Sequence, residues 1–255
     1  MLRIIRYVFY DLLRTRFIVF YTAFLLVSTL ALFQLESEPG KIILSLMNIV
    51  LLVVPLVSIV FSSIHYFNSY EFIELMLAQP VKRSVIFFSE YLSVAFSLSL
   101  ALVVGVGLPL VVYGADRTGL MLLYTGTILT WVFVSLAFLS VMLVRDKAKA
   151  IGAALLFWIY FSLIYDALVL WVIYTFMDYP LEKITLALIA LNPVDLARIV
   201  LLLELDISAL MGYTGAFYKA FFGSSFGMMY ATSVLLVWAV APLWSSLRIF
   251  QYRDL

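Results

Sequence analysis

Long apolar stretches dominate the chain, near residues 17–35, 42–66, 85–113, 119–144, 150–177 and 226–248. Each is at least as long as the ~20 residues a helix needs to cross a hydrocarbon core. The pattern predicts an all-α polytopic membrane protein with six transmembrane helices, forming a single transmembrane domain over residues 1–255. Between the second and third runs lies a polar island, Asn68 to Ser84. Asn68 and Glu71 have the spacing of a capping box, and Gln79 before Pro80 is a natural stop, so the island predicts a helix over 69–79. On it Phe72, Leu75 and Met76 share one face, and Glu71 and Glu74 share another. That is the distribution of a segment at the membrane boundary with carboxylates toward water.

Residues 1–16 place Ile5, Val8, Phe9 and Leu12 on one helical face and Arg3, Arg6 and Tyr10 on another, predicting an interfacial helix that anchors the N-terminus to anionic lipid. Arginines in this segment, followed by an apolar run long enough to span, argue against a cleavable signal peptide. Gly105-Val106-Gly107-Leu108-Pro109 near the end of the third run has the composition of a kink or unwound turn, and Pro55 is a candidate bend in the second. Such breaks must face protein or a cavity, because lipid cannot satisfy freed amides. In the segment 178–225, Asn192 as cap, Pro193 at the first helical position and Asp195 in the first turn predict a helix over about 193–205. A second short helix is expected from Asp206 to Gly215. Together they suggest a lid of outer-side helices half sunk in the bilayer surface.

Composition narrows the function classes. Hydrophobic residues make up 65% of the chain and charged residues 12%, far below the quarter or so of a soluble domain. The net charge of +1 offers no basic surface for nucleic acid. Lys and Arg also orient the spans. The N-terminus, residues 67–84, residues 145–149 and the C-terminus hold eleven of them, and the other side holds five, Lys41, Arg117, Lys183, Arg198 and Lys219. Both termini and the island are therefore expected on the cytoplasmic side.

No cysteine is present, so disulfides, thiolate metal sites and cysteine nucleophiles are excluded. The one histidine, His65, has no partner visible in the sequence, and Met228-Met229 is the one adjacent methionine pair. Neither makes a metal site, and no metal ligation is expected. No Gly-x-x-x-x-Gly-Lys-Ser/Thr phosphate cradle occurs, so ATP hydrolysis by that route is not expected in this chain, nor is any catalytic residue. Asp166 reads as the one acidic residue deep in a span. Its cost there is about 2.5–3.5 kcal/mol on insertion scales, so it must face the bundle, pair or be protonated. A place in a translocation path and a structural hydrogen bond from a Tyr or Ser are both open for it.

Glu71 to Arg83, followed by an apolar run opening Ser84-Val85-Ile86-Phe87-Phe88, resembles the coupling-helix region of ABC-2 type transporter permeases. Within them it is most similar to the NosY type of nitrous oxide reductase maturation. Asn192-Pro193-Val194-Asp195 and the terminal Phe250 to Leu255 extend the likeness over most of the chain. The island departs from the family in one respect, carrying Asn-Ser-Tyr-Glu where many relatives have a Glu-Gly-Thr-like segment.

The resemblance implies an ABC-2 permease fold in the cell inner membrane. It implies a homodimer resting on two copies of a cytoplasmic ABC ATPase subunit, which binds ATP and Mg. The helix at 69–79 would then be the coupling helix, with Glu71, Phe72, Glu74, Leu75, Gln79, Pro80, Lys82 and Arg83 as the contact set, and residues 1–16 a connecting helix. Family members pair through the first and fifth spans, which here offer Tyr21 and Tyr165, beside Asp166, as seam or pathway residues. The NosY likeness further implies either solute export or mechanical transmission to an outer-side partner. The candidate partners are a periplasmic tandem-repeat protein and a copper chaperone lipoprotein, docking on Asp195, Arg198, Asp206, Met211 and Tyr213. The competing readings are a gradient-driven carrier, for which the expected inverted repeats are not visible, and a membrane anchor for an outer complex without ATP coupling.

Overall fold

The computed structural model describes residues 2–114, 117–176, 182–205 and 225–252, and every regular element among them is a helix. An N-terminal helix α1 (Leu2–Leu13) leads into α2 (Arg16–Leu35), α3 (Pro39–Asn68), a short α4 (Tyr70–Leu77) and α5 (Arg83–Leu102). A π-helical turn, Val103–Gly107, carries α5 into α6 (Leu108–Val112), and α7 (Arg117–Leu143) returns. The fifth long segment is α8 (Lys147–Ile159), a second π-helical turn Tyr160–Ile164, and α9 (Tyr165–Thr175). After α10 (Glu182–Ala190) and α11 (Pro193–Glu204), α12 (Ser225–Tyr252) completes the bundle. Six segments are long and apolar enough to cross a membrane: 16–35, 39–68, 83–112, 117–143, 147–175 and 226–252. They coincide with the six apolar runs, as an all-α polytopic membrane protein requires.

α7 is the hub, lying against α3, α5, α8, α11 and α12. Leu129, Phe133 and Phe138 on it are fully buried, and Phe138 meets Tyr66, Phe87 and Tyr91 edge-on, with centroids 5.5–5.7 Å apart. Its interior hydroxyls stay satisfied by folding back on their own helix: Thr125 onto Met121 O at 2.8 Å, Thr130 onto Gly126 O at 2.9 Å and Ser135 onto Trp131 O at 2.9 Å. Polar side chains can thus sit in an apolar interior without stranded hydrogen-bonding groups.

At one end of the bundle α1 buries Val8 and Leu12, leaves Arg6, Tyr7 and Tyr10 exposed, and accepts from Ser93 of α5 at the Ile5 carbonyl, 3.1 Å. The amphipathic face read from the sequence is therefore the packed face. Arg83 at the start of α5 donates to the Gln251 carbonyl of α12 at 3.3 Å. α1, α4 and the end of α12 thus share this terminal end; the α2–α3 connection and the start of α7 lie at the far end.

Both π-turns have identifiable causes. Pro109 has no N–H for the Gly105 carbonyl, and the helix widens just before it. Gly105 is also where α2 crosses: a Cβ there would stand 2.6 Å from Leu25 Cβ and 3.0 Å from the Thr22 carbonyl. The break is buried against protein, as its composition demanded. At the second turn a side chain enters the helix ladder, since Asn192 Nδ2 donates to the Phe161 carbonyl at 2.8 Å.

α10 and α11 meet at 113°. Their junction reaches the middle of the bundle, because Ala190 O accepts from Trp238 Nε1 at 3.1 Å and Asn192 reaches Phe161, both near the midpoints of their segments. α11 then runs back to the far end, where Glu204 pairs with Arg117 at 2.6 Å. The expected surface lid is thus corrected for this part of 178–225: α11 is packed among α3, α7 and α12, with Pro193 to Ala197 buried. Asp206 to Gly215 lies outside the described residues.

Candidate functional site

The polar island forms a projection at the terminal end. α3 runs through Asn68, so the cap expected there shifts: Ser69 holds the N-cap position, without a side-chain bond. Asn68 instead accepts from Lys147 Nζ at 2.9 Å, because the preceding span is longer than the apolar run alone indicates. The helix occupies 70–77 and ends before Pro80, as the pre-proline position predicted. Its packed face also differs. Ile73 is the residue sealed into the core, at 1% exposure, while Leu75 is 67% exposed. Phe72, Met76 and Leu77 pack partly, and Phe72 stacks on Tyr7 of α1 with centroids 6.2 Å apart.

This leaves a strip of exposed residues: Glu71, Glu74 and Leu75 on the helix, then Gln79, Pro80, Lys82 and Arg83 beyond it. The residues read from the sequence as a contact set are therefore exposed, except for half-packed Phe72. An exposed leucine flanked by two carboxylates and followed by two cations is suited to a groove with an apolar floor and charged rims.

Behind the strip lies a pair the sequence did not disclose. His65 Nε2 is 3.0 Å from Glu90 Oε2, and the Glu90 side chain is 1% exposed. Two expectations change. His65 has a partner, and Asp166 is not the only carboxylate sunk in the bundle. The available signal was a charged residue at the sixth position of the apolar, serine-bearing run 85–113.

Toward the far end, Arg198 Nη1 donates to Asp166 Oδ2 at 2.8 Å and to Asp195 Oδ1 at 3.1 Å. Asp166 is thus paired, with an arginine rather than a Tyr or Ser. Asn192, fully buried, caps α11 by accepting from Val194 N at 3.0 Å and donates to Asp195 Oδ2 at 2.8 Å. Asn192-Pro193-Val194-Asp195 is therefore the helix start its sequence predicts, and it also cross-braces α11 to the fifth span. Asp195 is largely buried in this network, whereas Asp166 and Arg198 are each about one-third exposed, at 32% and 33%. Asp206, Met211 and Tyr213 lie outside the described residues.

Tyr21 and Tyr165 are both 5% exposed, and Tyr165 OH donates to the Leu188 carbonyl at 2.8 Å. The outward surfaces of the first and fifth spans are instead formed by residues such as Phe20, Phe24 and Val27, and Leu163, Trp171 and Tyr174. Among the described residues no three His, Asp or Glu side chains converge to hold a metal ion. Met229 is 69% exposed while its neighbour Met228 packs inward, so the two sulfurs diverge.

Comparison with known proteins gives one informative likeness. No family model matches the chain. The Stutzerimonas stutzeri protein named "Probable ABC transporter permease protein NosY" is 27% identical over 136 residues, covering 49% of each chain. The chain thus spans about half the length of the curated relative it matches.

Proposed function

We propose that this chain is the membrane subunit of an ABC transporter, a permease without catalytic residues of its own that is moved by a separate ATPase. The observation that carries this reading is the exposed strip on and after α4, in a chain similar over half its length to a protein named as such a permease. In the proposed cycle both termini and α4 face the cytoplasm in the inner membrane. Two ATPase subunits, which bind ATP and Mg, grip α4 of each protomer in a homodimer, and their closure swings the spans.

Burial supports the homodimer. The core stretches of the first, fifth and sixth spans are 22%, 17% and 28% buried within the protomer, against 56–72% for the other three. Three poorly covered spans leave room for a second copy as well as for lipid. The seam we propose uses the outward residues of the first and fifth spans, with Tyr21 and Tyr165 behind it.

At the outer side, the α10–α11 hairpin is the element that receives the movement, through Asp166, Asp195 and Arg198. The island's resemblance to NosY-type permeases supports the finer reading, a part in nitrous oxide reductase copper-centre maturation. Movement would then serve either export of a solute or force transmission to a periplasmic tandem-repeat protein and copper chaperone lipoprotein.

The test is copurification. The tagged chain is expected to bring down an ATPase, and Glu71→Lys with Glu74→Lys is expected to release it without lowering the chain's own melting temperature. An ATPase still bound after that double reversal sinks the role given to α4. Absence of any ATPase with the unsubstituted chain favours an anchor or carrier that runs without ATP.

A further inference from the structure

His65 lies in the last turn of α3 and joins three elements. Its Nε2 is 3.0 Å from Glu90 Oε2 on α5 and 3.4 Å from the hydroxyl of Ser69, the residue between α3 and α4. Ser69 N donates to the His65 carbonyl at 2.9 Å, and the Ser69 carbonyl accepts from Ile73 N at 2.9 Å. The first turn of α4 therefore hangs directly from the last turn of α3. The imidazole also lies parallel to the Phe61 ring, 6.1 Å between centroids, and Phe61 stacks on Phe17 of α2 at 4.7 Å.

Glu90 is buried, and its second oxygen, Oε1, has no hydrogen-bond partner. A carboxyl so placed cannot carry its charge alone. It needs the imidazole as its hydrogen-bond partner, whichever of the two carries the proton. Either way one proton is shared between α3 and α5, and parting the helices strands the carboxyl away from water. The two spans are thereby tied to each other at the place where α4 joins them.

We propose that His65 and Glu90 form a latch that converts a push on α4 into joint movement of α3 and α5. They are positioning residues for coupling, and the inference rests on the reading of α4 as the helix gripped by an ATPase. A pair that served only the fold would be replaceable by two apolar side chains of similar volume. A latch would not be, yet it would survive exchange of its two halves.

The chain has no cysteine, so spin labels can be placed without background at Val112→Cys, on the far end of the third span, and Met229→Cys, on the far end of the sixth and outside the proposed seam; both positions are exposed within the protomer. Their separation is followed in the complex with the copurified ATPase, with and without ATP. The unsubstituted complex should show an ATP-dependent change. The variant H65L/E90L should keep the ATPase bound and hydrolysing but lose the change, and the exchange H65E/E90H should restore it. An unaltered change in H65L/E90L overturns the latch alone. If no ATPase copurifies with the unsubstituted chain, or ATP moves nothing in it, the coupling reading fails and the latch with it.

Discussion

Arg198 reaches Asp166 across the interface between α11 and α9, 2.8 Å from Nη1 to Oδ2, and the same nitrogen serves Asp195 at 3.1 Å. One cation thus holds two carboxylates from different helices. Removing it leaves two acidic groups facing each other in a partly buried site. Breaking a fully buried pair costs about 3–5 kcal/mol, and the one-third exposure of Asp166 and Arg198 reduces that to about 1–3 kcal/mol for Arg198→Met. Asp166→Asn, which removes one of the opposed charges and keeps a hydrogen-bond acceptor, should cost less. Thermal unfolding of the detergent-solubilised protein checks the order; equal melting temperatures for both variants and the parent would mean the cluster does not brace α11.

The crossing of α2 over the first π-turn makes a second, sharper prediction. A Cβ at Gly105 would meet Leu25 Cβ and a backbone carbonyl, neither of which can swing aside as a flexible side-chain tip would. Gly105→Ala should therefore destabilise by about 1–3 kcal/mol, as overpacking does. Gly152 in α8 has nothing within 4 Å of its imagined Cβ, so Gly152→Ala should be neutral or stabilising by up to about 1 kcal/mol through helix propensity. The same unfolding measurement separates them, and a harmless Gly105→Ala would show that α2 does not approach so closely.

What could be read in advance follows the range of the forces involved. The six spans were legible because a hydrocarbon core imposes length and apolarity on consecutive residues. The start of α11 was legible because Asn192, Pro193 and Asp195 act within one turn. α4 was legible in place but not in orientation: Tyr70, Phe72, Ile73, Leu75, Met76 and Leu77 surround an eight-residue helix with apolar side chains, so nothing local favours Ile73 over Leu75 as the buried one. His65 and Glu90 are 25 residues apart, and Asp166 and Arg198 are 32 apart. Such pairs are made by packing, which periodicity cannot express. The burial of α11 likewise depends on a tertiary bend, not on its own amphipathic pattern.

Asn192 distinguishes a cap from a brace. As an N-cap it is matched by aspartate, but its amide also donates to Phe161 O and to Asp195 Oδ2, each at 2.8 Å. Asn192→Asp keeps the cap, loses both donors and sets a third carboxylate beside Asp195. Asn192→Ala leaves the Val194 amide and the Phe161 carbonyl without their side-chain partner, about 1–3 kcal/mol for each group. The aspartate variant is therefore expected to be the less stable of the two, the reverse of capping preference, and a more stable aspartate variant would assign Asn192 to the cap alone.

The orientation of the whole bundle can be tested without any partner. Leu75 on α4 is 67% exposed, and so is the Glu38 side chain in the α2–α3 connection at the far end, so a cysteine at either site is open to a water-borne reagent once the membrane is no barrier. The proposed orientation, drawn from the excess of Lys and Arg on the terminal end, has Leu75 inside the cell, since translocating clustered cations is disfavoured. In intact cells a membrane-impermeant maleimide should label Glu38→Cys and spare Leu75→Cys, and permeabilisation should make both react. Labelling of Leu75→Cys in intact cells would put α4 on the outer face, beyond reach of any cytoplasmic ATPase. It would remove the coupling proposal while leaving the arrangement of the helices untouched.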